Sequence, residues 1–378
     1  MRLLPGVEAL KGAVITVLTR NAMGNSSQTT FPVALGGSRA FTGLAEGGPS
    51  PSFISLTISK SGALTGVLEE GAEPRRFRGK FAWPALAPVV LPLTGNRTLT
   101  LNYLTNQGKM AATWLAPGSS AVSAILEPVV MPVIETPNLQ PFAVNALLMP
   151  RVQGSTGCGF ARLLIQKSGS VSVLGTLPDG VPFSKSTRLR TPDSEGISRV
   201  PLAVYWRGKA PSVLAGSISL STNPAPSSDS ISGNFSWTQS SKAKRPAGSS
   251  TGPFTLDLMG SRWSPIAGVN ALSGISSNRT FGLELNFPNS EDFTLDGTWP
   301  ASNVPTLAAG TQFAGLSFDP TLGRFNGYFR KTTTVAATNF QGLLLATPLV
   351  LQNGILLHGG GWIPEGAATG PVWILSRP

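Results

Sequence analysis

The sequence predicts an all-β fold of antiparallel hairpins assembled into β-barrel or β-sandwich modules, with little or no helix. Three observations carry this. First, Ile54, Leu56 and Ile58 alternate with Ser55, Thr57 and Ser59, and the alternation resumes at Leu64, Gly66 and Leu68 after a break at Ser61-Gly62. Period two means a strand with one buried face, and a Ser-Gly break between two such runs is a hairpin turn. Second, the unit recurs: Leu164-Ile165-Gln166-Lys167-Ser168-Gly169 echoes it, with Gly175 and Leu177 following. Third, no 3.6-residue period persists with helix caps anywhere in the chain.

In order, strands are expected around Gly12–Leu18 and Thr29–Leu35, followed by the hairpin above. Arg76, Arg78 and Lys80 then alternate with Phe77, Gly79 and Phe81, so this strand has one charged face. Gly95–Tyr103 and Met110–Leu115 make another hairpin, and Glu135–Asn138 reads as a linker. The expected organisation is an N-terminal module over residues 1–134 and a larger unit over 138–378, with sub-repeats at about 138–263 and 264–378. Further hairpins fall at Ile218–Trp237 and Leu316–Phe329, the latter with Gly327 in the place of Gly66. The run N-R-T-F-G-L-E-L-N-F at Asn278–Phe287 echoes Asn96–Tyr103. Recurring glycines at Gly66, Gly79, Gly175, Gly233, Gly297 and Gly327 fit strands that bend or let backbones approach closely. Trp114, Trp237, Trp263, Trp299, Trp362 and Trp373 stand at strand ends, where they are expected to plug barrels or cover core edges.

Composition narrows the class. Of 378 residues 41% are hydrophobic, so the chain can build cores. Only 12% are charged, with 43 glycines and 32 prolines. A surface solvated by hydroxyls and turns leans towards extracellular β proteins. The balance of 29 basic against 18 acidic residues, +11 net, invites a polyanion such as an anionic polysaccharide. The basic residues are scattered, and small clusters such as Arg75–Lys80 read first as strand edges kept from pairing. No specific nucleic-acid partner is expected. No apolar run reaches the ~18 residues of a spanning helix. Met1-Arg2-Leu3-Leu4 is followed at once by Pro5 and Glu8, unlike a signal peptide. The expectation is the tail of a longer chain.

Chemistry-bearing constellations are sparse. Cys158 is the single cysteine and His358 the single histidine, so neither a disulfide nor a zinc site is expected, nor any cofactor or catalytic residue. His358 lies in L-L-H-G-G-G-W, which resembles an oxyanion loop, but no G-x-S-x-G elbow accompanies it. Glu284 and Asp296 fall on neighbouring strands of one hairpin, where a solvated outer face is favoured over a glycosidase pair. Binding has better material. Tyr205, Trp206, Arg207 and Lys209 join two aromatics and two cations at a strand-and-turn, a candidate site for an anionic sugar ligand.

The strings L-T-I-S-K-S-G-A-L-T-G-V-L…F-R-G-K-F, I-Q-K-S-G…G-T-L-P-D-G-V-P-F-S, V-L-A-G-S-I-S-L…I-S-G-N-F-S-W and the terminal G-P-V-W-I-L carry a resemblance. From about residue 38 to the end, the chain resembles the β-rich C-terminal modules of very large secreted or surface proteins of Verrucomicrobia-type bacteria. That resemblance implies extracellular or cell-surface placement, upstream repeat domains in a longer chain, and no established activity. The functional expectation is a non-catalytic module for adhesion, anchoring or structural display. A module binding anionic polysaccharide or another polyanion is the alternative, and an enzyme acting on glycans a distant third.

Overall fold

The computed structural model describes residues 14–20, 26–32, 38–45, 51–71, 73–81, 87–104, 107–115, 120–129, 141–151, 157–206, 212–221, 230–238, 253–264, 271–272, 280–308, 314–332, 334–351, 354–366 and 368–377. Among them there is no helix, and the all-β expectation holds. The chain divides into two compact units, 1–131 and 132–378.

In the first unit, β1 (Val14–Arg20) and β2 (Ser26–Pro32) pair as a two-stranded sheet of their own. The next eight strands form one antiparallel sheet: β3 (Arg39–Ala45), β4 (Ser52–Ile58), β5 (Ala63–Glu70), β6 (Glu73–Lys80), β7 (Val89–Leu93), β8 (Arg97–Leu104), β9 (Lys109–Leu115) and β10 (Val122–Pro128). Their order, β6-β5-β4-β3-β10-β9-β8-β7, is two meanders joined by pairing of the first strand with the last. The edges β6 and β7 are consecutive in sequence and meet through side chains such as Leu91 over Gly79. The result is a nearly closed up-and-down barrel.

The second unit repeats this plan twice. One barrel holds β11 (Phe142–Pro150), β12 (Gly159–Ile165), β13 (Ser170–Thr176), β14 (Pro182–Arg188), β15 (Ile197–Trp206), β16 (Ser212–Ser221), β17 (Ser230–Thr238) and β18 (Phe254–Trp263), with β11 paired to β18. The other holds β19 (Thr280–Leu285), β20 (Phe293–Thr298), β21 (Thr306–Leu307), β22 (Ala314–Asp319), β23 (Arg324–Phe329), β24 (Thr338–Val350), β25 (Leu356–Glu365) and β26 (Ala368–Ser376), with β19 paired to β26. Its seam lies between β21 and β22, one strand earlier than the seams at β6/β7 and β14/β15.

The repeated sequence unit is the hairpin that buries the core. Ile54, Leu56, Ile58, Leu64 and Leu68 are all within 2% of full burial in the first barrel's core. Gly62 takes φ +79°, and its carbonyl accepts from Phe81 N at the end of the following strand. Gly169 (φ +73°) does the same for Leu189 N, and Gly323 (φ +67°) for Leu344 N. The three-strand unit therefore recurs as β4–β6, β12–β14 and β22–β24. The echo between Asn96–Tyr103 and Asn278–Phe287 is different in kind: β8 is the sixth strand of its barrel and β19 the first of another. Similar strand chemistry at unlike positions produced it.

Four of the six recurring glycines have a common kind of partner, a phenylalanine. Gly66 sits in register with Phe77, Gly175 with Phe183, Gly297 with Phe281 and Gly327 with Phe340. In each case the ring lies over the glycine, where a Cβ would collide with it. The ring covers backbone the glycine leaves bare, and the missing side chain lets the strand coil into closure. A Cβ at Gly66 would also come within 2.6 Å of Ser55 O. Gly66→Ala is expected to cost about 1–3 kcal/mol by overpacking. In combination with Phe77→Ala the loss should be less than additive, because the shorter side chain vacates the space. Chemical denaturation of the four proteins in the cycle measures the coupling.

The barrels are filled. Trp114, Trp237, Trp299, Phe41, Phe235, Phe281, Phe325 and Phe340 are fully buried side chains. An eight-stranded barrel encloses a space that side chains can fill. In the first barrel, apolar residues such as Leu64, Leu68 and Phe77 face inwards and residues such as Thr65, Arg76, Arg78 and Lys80 face outwards, the reverse of a transmembrane barrel. No helix among the described residues is long and apolar enough to cross a membrane.

Candidate functional site

Of the aromatic and basic residues singled out in sequence, Tyr205 and Trp206 end β15, both half-buried. The Trp206 ring packs edge-on to Phe183 of β14, centroids 6.4 Å apart. Phe183 in turn covers Gly175, so Trp206 helps to close the second barrel's seam. Arg207 and Lys209 lie outside the described residues.

A more open arrangement occurs on the outside of the third barrel. Ser317, Asn326, Gln341 and Trp362 are in register across four consecutive strands, β22 to β25. Alternation turns their neighbours inwards: Phe325 and Phe340 are in the core, so Asn326 and Gln341 face out. Gly315, Tyr328 and Asn339 form the next row. Together these residues line a groove of about 610 Å³. Tyr328 is 43% exposed, and its ring lies over Gly315, where a Cβ would strike it. Trp362 closes the far side, its ring against Gly180 of the turn after β13, and its Nε1 has no hydrogen-bond partner among the described residues. Of the two places expected for Trp362, plugging a barrel or covering a core edge, the structure shows the second: it packs against the core between the two barrels.

Electrostatically the groove is neutral. None of its lining residues is charged. The adjacent Arg324 donates to Gln341 Oε1, which leaves the Gln341 amide NH₂ as a donor. Ser317 Oγ donates to Asn326 O and keeps its lone pairs as acceptors. The groove thus combines amide, hydroxyl and indole groups with an exposed aromatic ring. Sequence reading missed it because its residues come from three separate segments that only strand register brings together. The available signal was polar alternation in R-F-N-G-Y-F and T-N-F-Q.

Elsewhere the chemistry is structural. Glu284 and Asp296 are on the paired strands β19 and β20, and Asp296 makes a salt bridge of 2.9 Å with Arg377. Among the described residues no group of three or more His, Cys, Asp or Glu gathers as for a metal ion. The run through His358 is not a glycine-rich turn but part of β25, where bare Gly359–Gly361 backbone admits neighbouring strands. His358 is fully buried, and neither ring nitrogen has a partner among the described residues. Burial lowers its pKa to about 4. No His–Cys pair exists, since Cys158 Sγ donates to Gly159 O. Cys158 is fully buried, and desolvation pushes its thiol well up. It is expected to be silent to an aromatic disulfide reagent in the native protein and to react stoichiometrically once unfolded. In the first barrel, Arg76, Arg78 and Lys80 are exposed along edge strand β6, while Arg75 and Arg97 turn to Glu70, which also accepts from buried Trp114 Nε1.

Comparison with known proteins finds no matching family model and no matching curated protein. Among solved structures, the chain is similar to the crystal structure of a vaccine antigen, transferrin-binding protein B from Haemophilus parasuis. The identity is 8%, over 97% of this chain and 83% of that one, with a TM-score of 0.17. The two backbones do not superpose as wholes at that value, and the fold rests on the strand pairing itself.

Proposed function

We propose that this protein is a non-catalytic extracellular or cell-surface module that acts by adhesion or anchoring through the outer faces of its barrels. The resemblance to β-rich C-terminal modules of Verrucomicrobia-type surface proteins belongs to the same proposal. The observation that carries it is that the barrels are packed with their own side chains. A binding function is then served from outside, as the groove over β22–β25 allows.

A second reading has its own observation. Arg76, Arg78 and Lys80 repeat every second residue on an exposed strand face, and a linear polyanion could follow such a stripe. A retention assay of the purified chain on insoluble polysaccharides, anionic polysaccharides and DNA, at low and high salt, separates the two. Retention that survives salt, with no soluble sugar released, supports a shaped adhesive site. Retention on every polyanion, abolished by salt, supports the stripe. Release of sugar from the retained polymer would overturn the non-catalytic reading.

A further inference from the structure

We infer that the groove over β22–β25 binds a neutral, unbranched glycan chain lying across the strands. This rests on the adhesive reading above and names its ligand class. Three features point to it. The first is charge: in a chain of net charge +11, none of the residues lining the groove is charged, and the neighbouring Arg324 is engaged by Gln341 Oε1. The second is the set of polar groups. The Asn326 and Asn339 amides offer donors and acceptors in planar pairs, Gln341 offers its NH₂ and Ser317 the lone pairs of its hydroxyl. Such groups match sugar hydroxyls, which both donate and accept.

The third is geometry. Tyr328 presents an exposed ring held over bare backbone at Gly315, a platform for the apolar face of a pyranose. Ser317, Asn326, Gln341 and Trp362 succeed one another at the interstrand spacing of about 4.8 Å. That spacing is close to the rise per residue of an extended pyranose chain, so successive sugars meet successive side chains. An open groove with few placed polar groups suits a polymer bound along its length.

The test is affinity electrophoresis of the full chain through gels containing hydroxyethylcellulose, glucomannan or heparin, at low and high salt. A neutral glycan is expected to retard the protein equally at both salts. Tyr328→Ala should weaken retardation about tenfold, the loss of one stacking platform. Tyr328→Phe keeps the ring and should bind nearly as the parent does. Gly315→Ala should displace the ring and mimic Tyr328→Ala, with near-ultraviolet circular dichroism reporting the fold. Arg76→Ala with Arg78→Ala should leave neutral-glycan retardation unchanged. Absence of retardation by both neutral glycans would overturn the inference, as would a Tyr328→Ala protein retarded like the parent. If the chain still adheres to another polymer in the retention assay, the adhesive reading survives that failure.

Discussion

Asn145→Ala is expected to lower the stability of the second unit by about 3 kcal/mol and to split its unfolding into two transitions. Asn145 lies in β11, fully buried. Its Nδ2 donates to Leu322 O at 3.1 Å and Leu344 O at 3.0 Å, both in the third barrel. Its Oδ1 accepts from Arg162 Nη1, which also donates to Leu322 O. Truncation strips Leu344 O of this donor and Arg162 of an acceptor, and each buried group left unsatisfied costs about 1–3 kcal/mol. Trp263 Nε1 donating to Pro320 O and Ser261 Oγ accepting from Thr347 N remain, so the barrels stay in contact but less tightly coupled. Differential scanning calorimetry should show the melting temperature lower by about 6–12 °C, given the size of the unit. An unchanged single transition would show that the apolar contacts around Leu147, Leu343 and Leu357 hold the barrels together by themselves.

The second large effect is on pH dependence. His358 has a folded pKa of about 4 against 6.5 when free, because burial disfavours the imidazolium. Between those values the unfolded chain binds the proton and the folded chain does not, so stability rises with pH across that window. The contribution is complete above pH 6.5 and is lost as pH falls to 4, about 3 kcal/mol in all. His358→Leu should remove that slope. Near pH 7 it should be as stable as the parent or more so, since it replaces two unpartnered nitrogens with apolar atoms. Urea midpoints measured from pH 7 down to pH 4 decide it. A slope that persists in His358→Leu would assign the acid sensitivity to other groups.

Both effects bear on how much the sequence could reveal. Strand alternation at Ile54–Leu68 was legible because the period-two pattern is local, and one buried face per strand is all a barrel requires. The turn glycines were legible for the same reason: Gly62 and Gly169 lie in the αL region that the Lys-Ser-Gly turn demands. Asn145 was not. In F-A-V-N-A-L-L-M it reads as one polar residue in an apolar strand, and its carbonyl partners lie 177 and 199 residues away.

The sequence by itself determined the class of structure, the hairpin as its unit and the turn glycines, since these follow from local periodicity and turn chemistry. Only the tertiary structure decided which strands close each barrel, where the seam falls and which outward residues become neighbours. Ser317, Asn326, Gln341 and Trp362 are scattered in the chain and aligned in space. Register between strands is set by the packing of whole barrel faces, and no single segment of the chain contains that information.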